Sequence, residues 1–144
     1  MNTRKDTLRP FHLAFPVQNI QEAKEWYTKI LGCKVGRHSE SWIDFNFFGH
    51  QIVAHLDSTI KQTFAYNNVD GHEIPVQHFG IILNMKNWKL LVNQLKKLNV
   101  DFTVKPYMRF KTKKGEQATL FIKDPSGNHI EIKAFANDEM IFDH

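Results

Sequence analysis

The sequence predicts an α+β fold of two βαβββ modules with the helices on the outside, and three observations carry that reading. First, the chain repeats itself: Phe11-His-Leu-Ala-Phe-Pro-Val17 leads into Gln18–Gly32, and Gln77-His-Phe-Gly-Ile-Ile-Leu83 leads into Asn84–Asn99. His12 and His78 stand 66 residues apart and Leu31 and Leu98 stand 67 apart, so the copies stay in register within one residue. Second, each copy passes from a short apolar strand through a polar turn into a stripe of 3.6-residue period. Third, three strand-like segments follow each helix, the last two joined by a Gly-containing turn.

Taken in order, the first strand is Phe11–Val17, and its helix carries Ile20, Ala23, Tyr27, Ile30 and Leu31 on one face. Asn19 with Glu22 resembles a capping box, and Gly32 suits the left-handed closing position. Strands are expected near Val35, at Trp42–Phe47 and at Gln51–Leu56, the last two joined by Phe48-Gly49-His50. Asp57–Val76, with Asn67-Asn68 and Asp70-Gly71, is expected to be one long irregular connector serving as a joint or lid. In the second copy Trp88, Leu91, Val92, Leu95 and Leu98 form the helix stripe, and Asn99 takes the place of Gly32. Strands at Asp101–Lys105, Gln117–Lys123 and His129–Phe135 follow, with Asp124-Pro-Ser-Gly127 as the tight turn. The whole chain is read as one domain: module 1 at about 10–57, a connector at about 58–76 and module 2 at about 77–135.

Composition excludes several classes. A length of 144 residues with 42% hydrophobic content is enough for a globular core and rules out disorder and collagen. One cysteine forbids an internal disulfide and suits a reducing compartment. No apolar run approaches the roughly 20 residues of a membrane span. The opening MNTRKDTLRP lacks the apolar core of a signal peptide, so a cytoplasmic location is expected. With eight histidines beside one cysteine, any metal site must be built from His and carboxylates. The net charge of +4 is modest, and its clearest concentration is Lys105-Pro-Tyr-Met-Arg109-Phe-Lys111-Thr-Lys113-Lys114. This basic run reads first as a solvated loop between strands, next as a contact for an anionic small substrate, and only last as a nucleic-acid surface. Arg4, Lys5 and Arg9 in front, and Asp138, Glu139 and Asp143 behind, read as small charged tails.

Period-two alternation then sorts the histidines. Leu13, Phe15 and Val17 share one face of the first strand, and His12, Ala14 and Pro16 share the other. Phe79, Ile81 and Leu83 oppose His78, Gly80 and Ile82, while Ile130 and Ile132 oppose His129, Glu131 and Lys133. The apolar faces are the natural partners of the two helices, which leaves His12, His78 and Glu131 on the face turned away from them. Small Ala14 and Gly80 would leave room there for an ion. Two His and one carboxylate is the composition of the facial triad, which keeps positions open for substrate and oxygen. The same residues also fit the ordinary reading of structural strand histidines.

At these residues the sequence resembles the glyoxalase/bleomycin-resistance/extradiol-dioxygenase superfamily, the vicinal oxygen chelate proteins, over about residues 10–135. The strongest pieces are Phe11–Val17 with Ala23-Lys-Glu-Trp-Tyr and Leu31-Gly32, and the ending Phe121-Ile-Lys-Asp-Pro-Ser-Gly-Asn-His-Ile-Glu131. Trp42–His55, Val76–Gly80 and Gly115-Glu-Gln-Ala-Thr119 are similar to a group described as predicted extradiol-type dioxygenases. The resemblance implies two βαβββ modules whose mixed sheets form a cup around one divalent metal, with His12, His78 and Glu131 as ligands. Fe(II) is the favoured ion, and Mn, Zn and Ni are alternatives. Matching Gly49 to Gly127 puts Val53 opposite Glu131, so the fourth ligand of glyoxalase I is absent, as in three-ligand dioxygenases and fosfomycin-inactivating enzymes. The Tyr that ring-cleaving members carry near the metal falls on Phe121.

The implied activity is an Fe(II) extradiol-type dioxygenase acting on a small catechol-like molecule. The alternatives are a redox-neutral lyase, isomerase or thiol transferase, and a binding protein without catalysis. A base is needed near the metal to deprotonate the diol. His55 is preferred over His50 because it shares a strand face with Gln51 and Val53. Tyr107, Arg109, His72 and Gln51 are the candidate substrate contacts, suited to an anionic or aromatic ligand, with His72 closing over the mouth. His129 has the parity of a residue supporting Glu131, Cys33 reads as a small buried hydrophobe, and His38 and His144 gain no support. Members of this family commonly pair two chains, so a homodimer is expected.

Overall fold

The computed structural model describes residues 8–143; Arg4, Lys5 and His144 of the expected tails and histidine set lie outside the described residues. In chain order the elements are β1 (His12–Val17), α1 (Ile20–Lys29), β2 (Lys34–His38), β3 (Trp42–Phe47), β4 (His50–Leu56), β5 (Tyr66–Val69) and β6 (His72–Pro75). They continue as β7 (Phe79–Asn84), α2 (Met85–Lys97), β8 (Phe102–Arg109), β9 (Gln117–Lys123), β10 (His129–Phe135) and a 3₁₀ turn at Asp138–Met140. The chain divides between Ile60 and Lys61 into two compact units. The sheet of the first unit runs β1-β4-β3-β2 and that of the second runs β7-β10-β9-β8. The two orders are the same, so the internal repeat is a repeat of topology. In both, the first strand lies parallel to the last, and the remaining neighbours are antiparallel. Among the described residues, no helix is long and apolar enough to cross a membrane.

In the first unit the Asn19 side chain accepts from the Glu22 N–H at 2.8 Å, satisfying one of the unpaired donors at the start of α1. Fully buried Tyr27 stacks on Phe45 with centroids 4.9 Å apart and meets Phe15 at 5.6 Å. Gly32 then ends the helical segment at φ +66°, the left-handed conformation that glycine adopts without cost. Cys33 is buried as expected, and burial pushes its thiol up to about 12, so it is no nucleophile.

The second unit repeats the device. Asn84 accepts from the Asn87 N–H at 2.8 Å, and Asn99 stands at φ 54° where the first copy has glycine. Trp88, Leu91, Val92 and Leu95 are buried on α2, which packs on β7 and β10. Side chains of this kind contribute roughly 1.5–3 kcal/mol each when removed from water. The Trp88 indole N–H also donates to the Ile132 carbonyl at 2.9 Å, which ties the helix to the central strand of its sheet. Ile130, Ile132 and Ala134 are fully buried, while Glu131 and Lys133 between them are only partly covered. The alternation expected of β10 is therefore present.

Four expectations are corrected. The connector is not wholly irregular: β5 and β6 form a hairpin turned at Asp70-Gly71, with φ 52° and 80°. An Asp-Gly pair with both angles positive is the strongest two-residue hairpin signal, but its flanks, Tyr-Asn-Asn-Val and His-Glu-Ile-Pro, are too polar and short to show as strands. The basic run is not all loop either, because β8 continues through Arg109 and only the residues beyond it form the turn. His78 does not lie within its strand but immediately before β7. Finally, Gly80 leaves no room for an ion: a Cβ there would stand 1.7 Å from the Glu131 carbonyl oxygen. The glycine serves the close approach of two parallel backbones, β7 and β10.

Gly80→Ala should therefore force β7 off β10 and lower stability by about 3 kcal/mol, read from urea unfolding of the purified protein. A loss below about 0.5 kcal/mol would show that the contact is not a constraint.

Candidate functional site

The second unit brings two of the three candidate ligands together. His78 Nε2 lies 3.5 Å from Glu131 Oε1, and the opposite ring nitrogen, Nδ1, lies 2.7 Å from the Pro75 carbonyl. A carbonyl only accepts, so Nδ1 carries the proton and donates it, and Nε2 is the atom turned to the carboxylate. The other carboxylate oxygen of Glu131 accepts from the Thr119 hydroxyl at 2.6 Å. The Phe121 ring, on the β9 residue directly opposite Glu131, stands edge-on to His78 with centroids 4.9 Å apart. The hydrogen bond to Glu131 raises the His78 pKa above its ordinary value, outweighing the effect of burial. Burial pushes the Glu131 carboxyl up, but hydrogen bonds from His78 and Thr119, with Lys133 nearby, more than offset it and hold it below the ordinary value.

In the first unit His12 is held in a matching way. Its Nδ1 lies 2.8 Å from Gln51 Oε1, its register partner on β4, and Gln51 Nε2 points to Asp44 Oδ2 at 3.5 Å. Asp44 is a buried carboxylate on β3 whose cationic neighbour is Arg37, at 3.5 Å. A carboxylate only accepts, so Asp44 sets the amide orientation of Gln51, and Gln51 sets the tautomer of His12. His12 is thus left with Nε2 as its free lone pair, the form in which imidazole binds metals. Gln51, itself exposed, is engaged by these two intramolecular contacts.

A third cluster involves the candidate substrate contacts. Tyr107 donates to Asp70 at 3.0 Å, the Arg109 guanidinium pairs with the same carboxylate, and the His72 ring lies 4.7 Å from that of Tyr107. Burial first, then Asp70, push the Tyr107 phenol up to about 12, so it remains a protonated donor at neutral pH. Register places Tyr107 opposite Thr119 and Arg109 opposite Gln117. The hairpin carrying Asp70 and His72 is therefore seated against β8.

The remaining histidines separate by their surroundings. His55 is exposed on β4, beside Pro16 and Trp42 in the register. His50 accepts from the Phe11 N–H through Nδ1 at 2.8 Å, which gives it a local structural task. His129 is buried against Phe64, with rings 4.8 Å apart, and burial lowers its pKa, so it is a neutral core side chain. His38 ends β2 and is exposed.

Sequence reasoning passed over Thr119, Asp44 and Asp70. Thr119 was within reach: counting back across the Asp124–Gly127 turn puts Phe121 opposite Glu131 and Thr119 diagonal to it. Asp44 shares the strand parity of Trp42 and Asn46, away from the helix, yet no pattern marks it as buried. Asp70 was hidden by the unrecognised hairpin.

The donor chemistry fits a divalent ion: two imidazoles with Nδ1 protonated and tied back, and a carboxylate held by a hydroxyl. Among the described residues, no three His, Cys, Asp or Glu side chains form a group able to hold a metal by themselves. The second unit presents a pair, and His12 stands in the first.

Comparisons with known proteins agree with this architecture. A family model described as Glyoxalase/Bleomycin resistance protein/Dioxygenase superfamily matches residues 9–132. A glyoxalase/bleomycin resistance protein/dioxygenase from Alicyclobacillus acidocaldarius is 31% identical, with 99% of this chain and 100% of that chain covered and a TM-score of 0.78. A mutant of the fosfomycin resistance protein FosX from Listeria monocytogenes, complexed with Mn(II) and 1S,2S-dihydroxypropylphosphonic acid, is 14% identical, covers 93% and 96% of the two chains and has a TM-score of 0.66. Virulence protein STM3117 from Salmonella typhimurium is 21% identical, with 90% and 98% covered and a TM-score of 0.62; both share the fold. No curated protein matches the sequence significantly. The chain belongs to the glyoxalase/bleomycin resistance protein/dioxygenase superfamily.

Proposed function

We propose that this protein is a metal-dependent enzyme in which His12, His78 and Glu131 hold one divalent ion. We further propose that it is an Fe(II) extradiol-type dioxygenase acting on a small, anionic, catechol-like molecule. The observation that carries the reading is the pair formed by His78 and Glu131. The imidazole is locked by Pro75 with Nε2 turned to a carboxylate that Thr119 orients on its other side. When bound, such an ion supplies Lewis acidity and open positions for a chelating substrate and for dioxygen.

The chain's own residues have distinct tasks in this scheme. Pro75 and Gln51 keep the Nδ1 protons of His78 and His12 and so aim both Nε2 atoms. Phe121 shields one edge of His78 from water. His55, exposed and sharing a sheet face with His12 and Gln51, is the proposed acceptor of a diol proton. Tyr107 stays protonated, and Arg109 offers guanidinium N–H groups to an anion, with His72 beside them. The proposed setting is a homodimer in a reducing cytoplasm, which suits a lone, buried thiol.

A redox-neutral Lewis-acid enzyme is the second reading. It is favoured by Phe121, an unreactive ring, lying against His78, and by the fosfomycin resistance relative that is complexed with Mn(II).

Anaerobic Fe(II) loading followed by air and a panel of catechols should give oxygen uptake and a coloured ring-opened product. No uptake with any diol, together with tight Mn, Zn or Ni binding, would replace the first reading by the second. Stoichiometric ligand binding by a chain that retains no metal would point to a non-catalytic binding protein. His12→Ala and Glu131→Ala should each strip most of the metal, measured by elemental analysis after gel filtration; unchanged content in both would overturn the ligand set. Gln51→Leu should weaken metal binding about 10–100-fold in a chelator competition, whereas Gln51→Glu, still able to accept from Nδ1, should retain it. Equal affinity in Gln51→Leu and the parent would remove Gln51 from the positioning of His12.

A further inference from the structure

A pocket of about 400 Å³ opens in the second unit, lined by Arg109, Gln117, Lys133 and Phe135 from the sheet and by Met140 and Ile141 beyond it. Strand register locates it. Lys133 and Phe135 follow Glu131 on the same face of β10, Gln117 pairs with Phe135, and Arg109 pairs with Gln117. The pocket therefore continues the face that carries His78 and Glu131, with Lys133 two residues, or roughly 7 Å, along the strand from Glu131.

The charges lining it do not cancel. Lys114 is paired with Asp143 at 2.8 Å, and Arg109 is paired with Asp70. Lys133 has no carboxylate within ion-pair distance among the described residues, and its ammonium instead lies 5.6 Å from the centroid of the Phe135 ring. One cation without a direct ion pair among the described residues thus stands over walls made of Phe110, Phe135, Met140 and Ile141. The Arg109 guanidinium lies 4.9 Å from the Phe110 ring and turns its Nε to Asp70, a geometry that spends one of its five donors. A cation of this kind is matched by one negative charge, and the apolar walls are matched by a ring.

We propose that this pocket takes the carboxylate end of a small aromatic monoanion, with Lys133 as the charge partner and Arg109 as a second donor. The spacing to Glu131 lets one substrate reach both places, with its carboxylate here and its oxygen-bearing edge near His78. The proposal rests on the reading of Arg109 as an anion contact given under Proposed function, and it names the substrate class of that site.

The test uses the full-length metal-free protein, so that its result is separate from metal binding and oxygen uptake. Benzoate is titrated while the methyl resonances of Met140 and Ile141 are followed by NMR, with benzyl alcohol as the neutral ring of similar shape and acetate as the anion without a ring. Benzoate should give a saturable shift at both methyls and bind about tenfold more tightly than either control. Lys133→Gln should lose about tenfold of the benzoate affinity and leave benzyl alcohol unchanged, while Lys133→Arg should stay within about threefold of the parent. Each figure reflects the loss of one charge-assisted contact. Equal binding of benzoate and benzyl alcohol, or unaltered benzoate binding in Lys133→Gln, would overturn the proposal. So would a Lys133→Arg variant as weak as Lys133→Gln, since the side chain would then serve packing rather than charge. An active metal enzyme that fails this test keeps its metal-dependent reaction and loses the anionic character proposed for its substrate.

Discussion

The arrangement of β10 between β7 and β9 is the constraint on which the second unit depends. Its side chains alternate between a face sealed by α2 and a face that carries Glu131 and Lys133. A slip of one residue would exchange the two sets, sending Glu131 under the helix and Ile130 and Ile132 into water. Three contacts hold the register: the close approach of Gly80 to the Glu131 backbone, the indole bond from Trp88 to Ile132, and the antiparallel ladder with β9. The position of the candidate carboxylate is thus set by packing on the opposite side of the sheet. Chemistry on one face depends on hydrophobic burial on the other.

The electrostatics of the His78–Glu131 pair follow from that placement. Their contact raises the pKa of the imidazole and helps to hold that of the carboxylate down. A metal binds only the neutral imidazole and the ionised carboxylate, so metal uptake weakens as pH falls. Thr119 and Pro75 hold Glu131 and His78 from the sides turned away from each other. Gln51 and Asp44 perform the same service for His12 in the first unit.

Much of this was legible in the sequence, because repeats and alternation are periodic signals. The equivalent succession of elements in the two halves, the Asn19 cap and the left-handed Gly32 and Asn99 all follow from spacing and residue type. The hairpin at Asp70-Gly71 was not legible as strand, since its flanks have no apolar face to bury. Gly80 was misread because a small residue beside a histidine looks like room for a ligand, whereas the space belongs to a neighbouring backbone. The partners of the candidate ligands were missed for a related reason. Thr119, Asp44 and Pro75 act through cross-strand or local backbone contacts that only a register reveals.

The central claim is that two imidazoles, tied back through Nδ1, and one carboxylate hold a single divalent ion. A crystal structure of the Mn(II)-loaded protein, with the ion located by anomalous scattering, tests it most directly. The account predicts one fully occupied ion bound by Nε2 of His12, Nε2 of His78 and the Glu131 carboxylate, with Gln51 and Pro75 still accepting from the two Nδ1 atoms. An ion bound through Nδ1, or seated away from any of these three side chains, would contradict it.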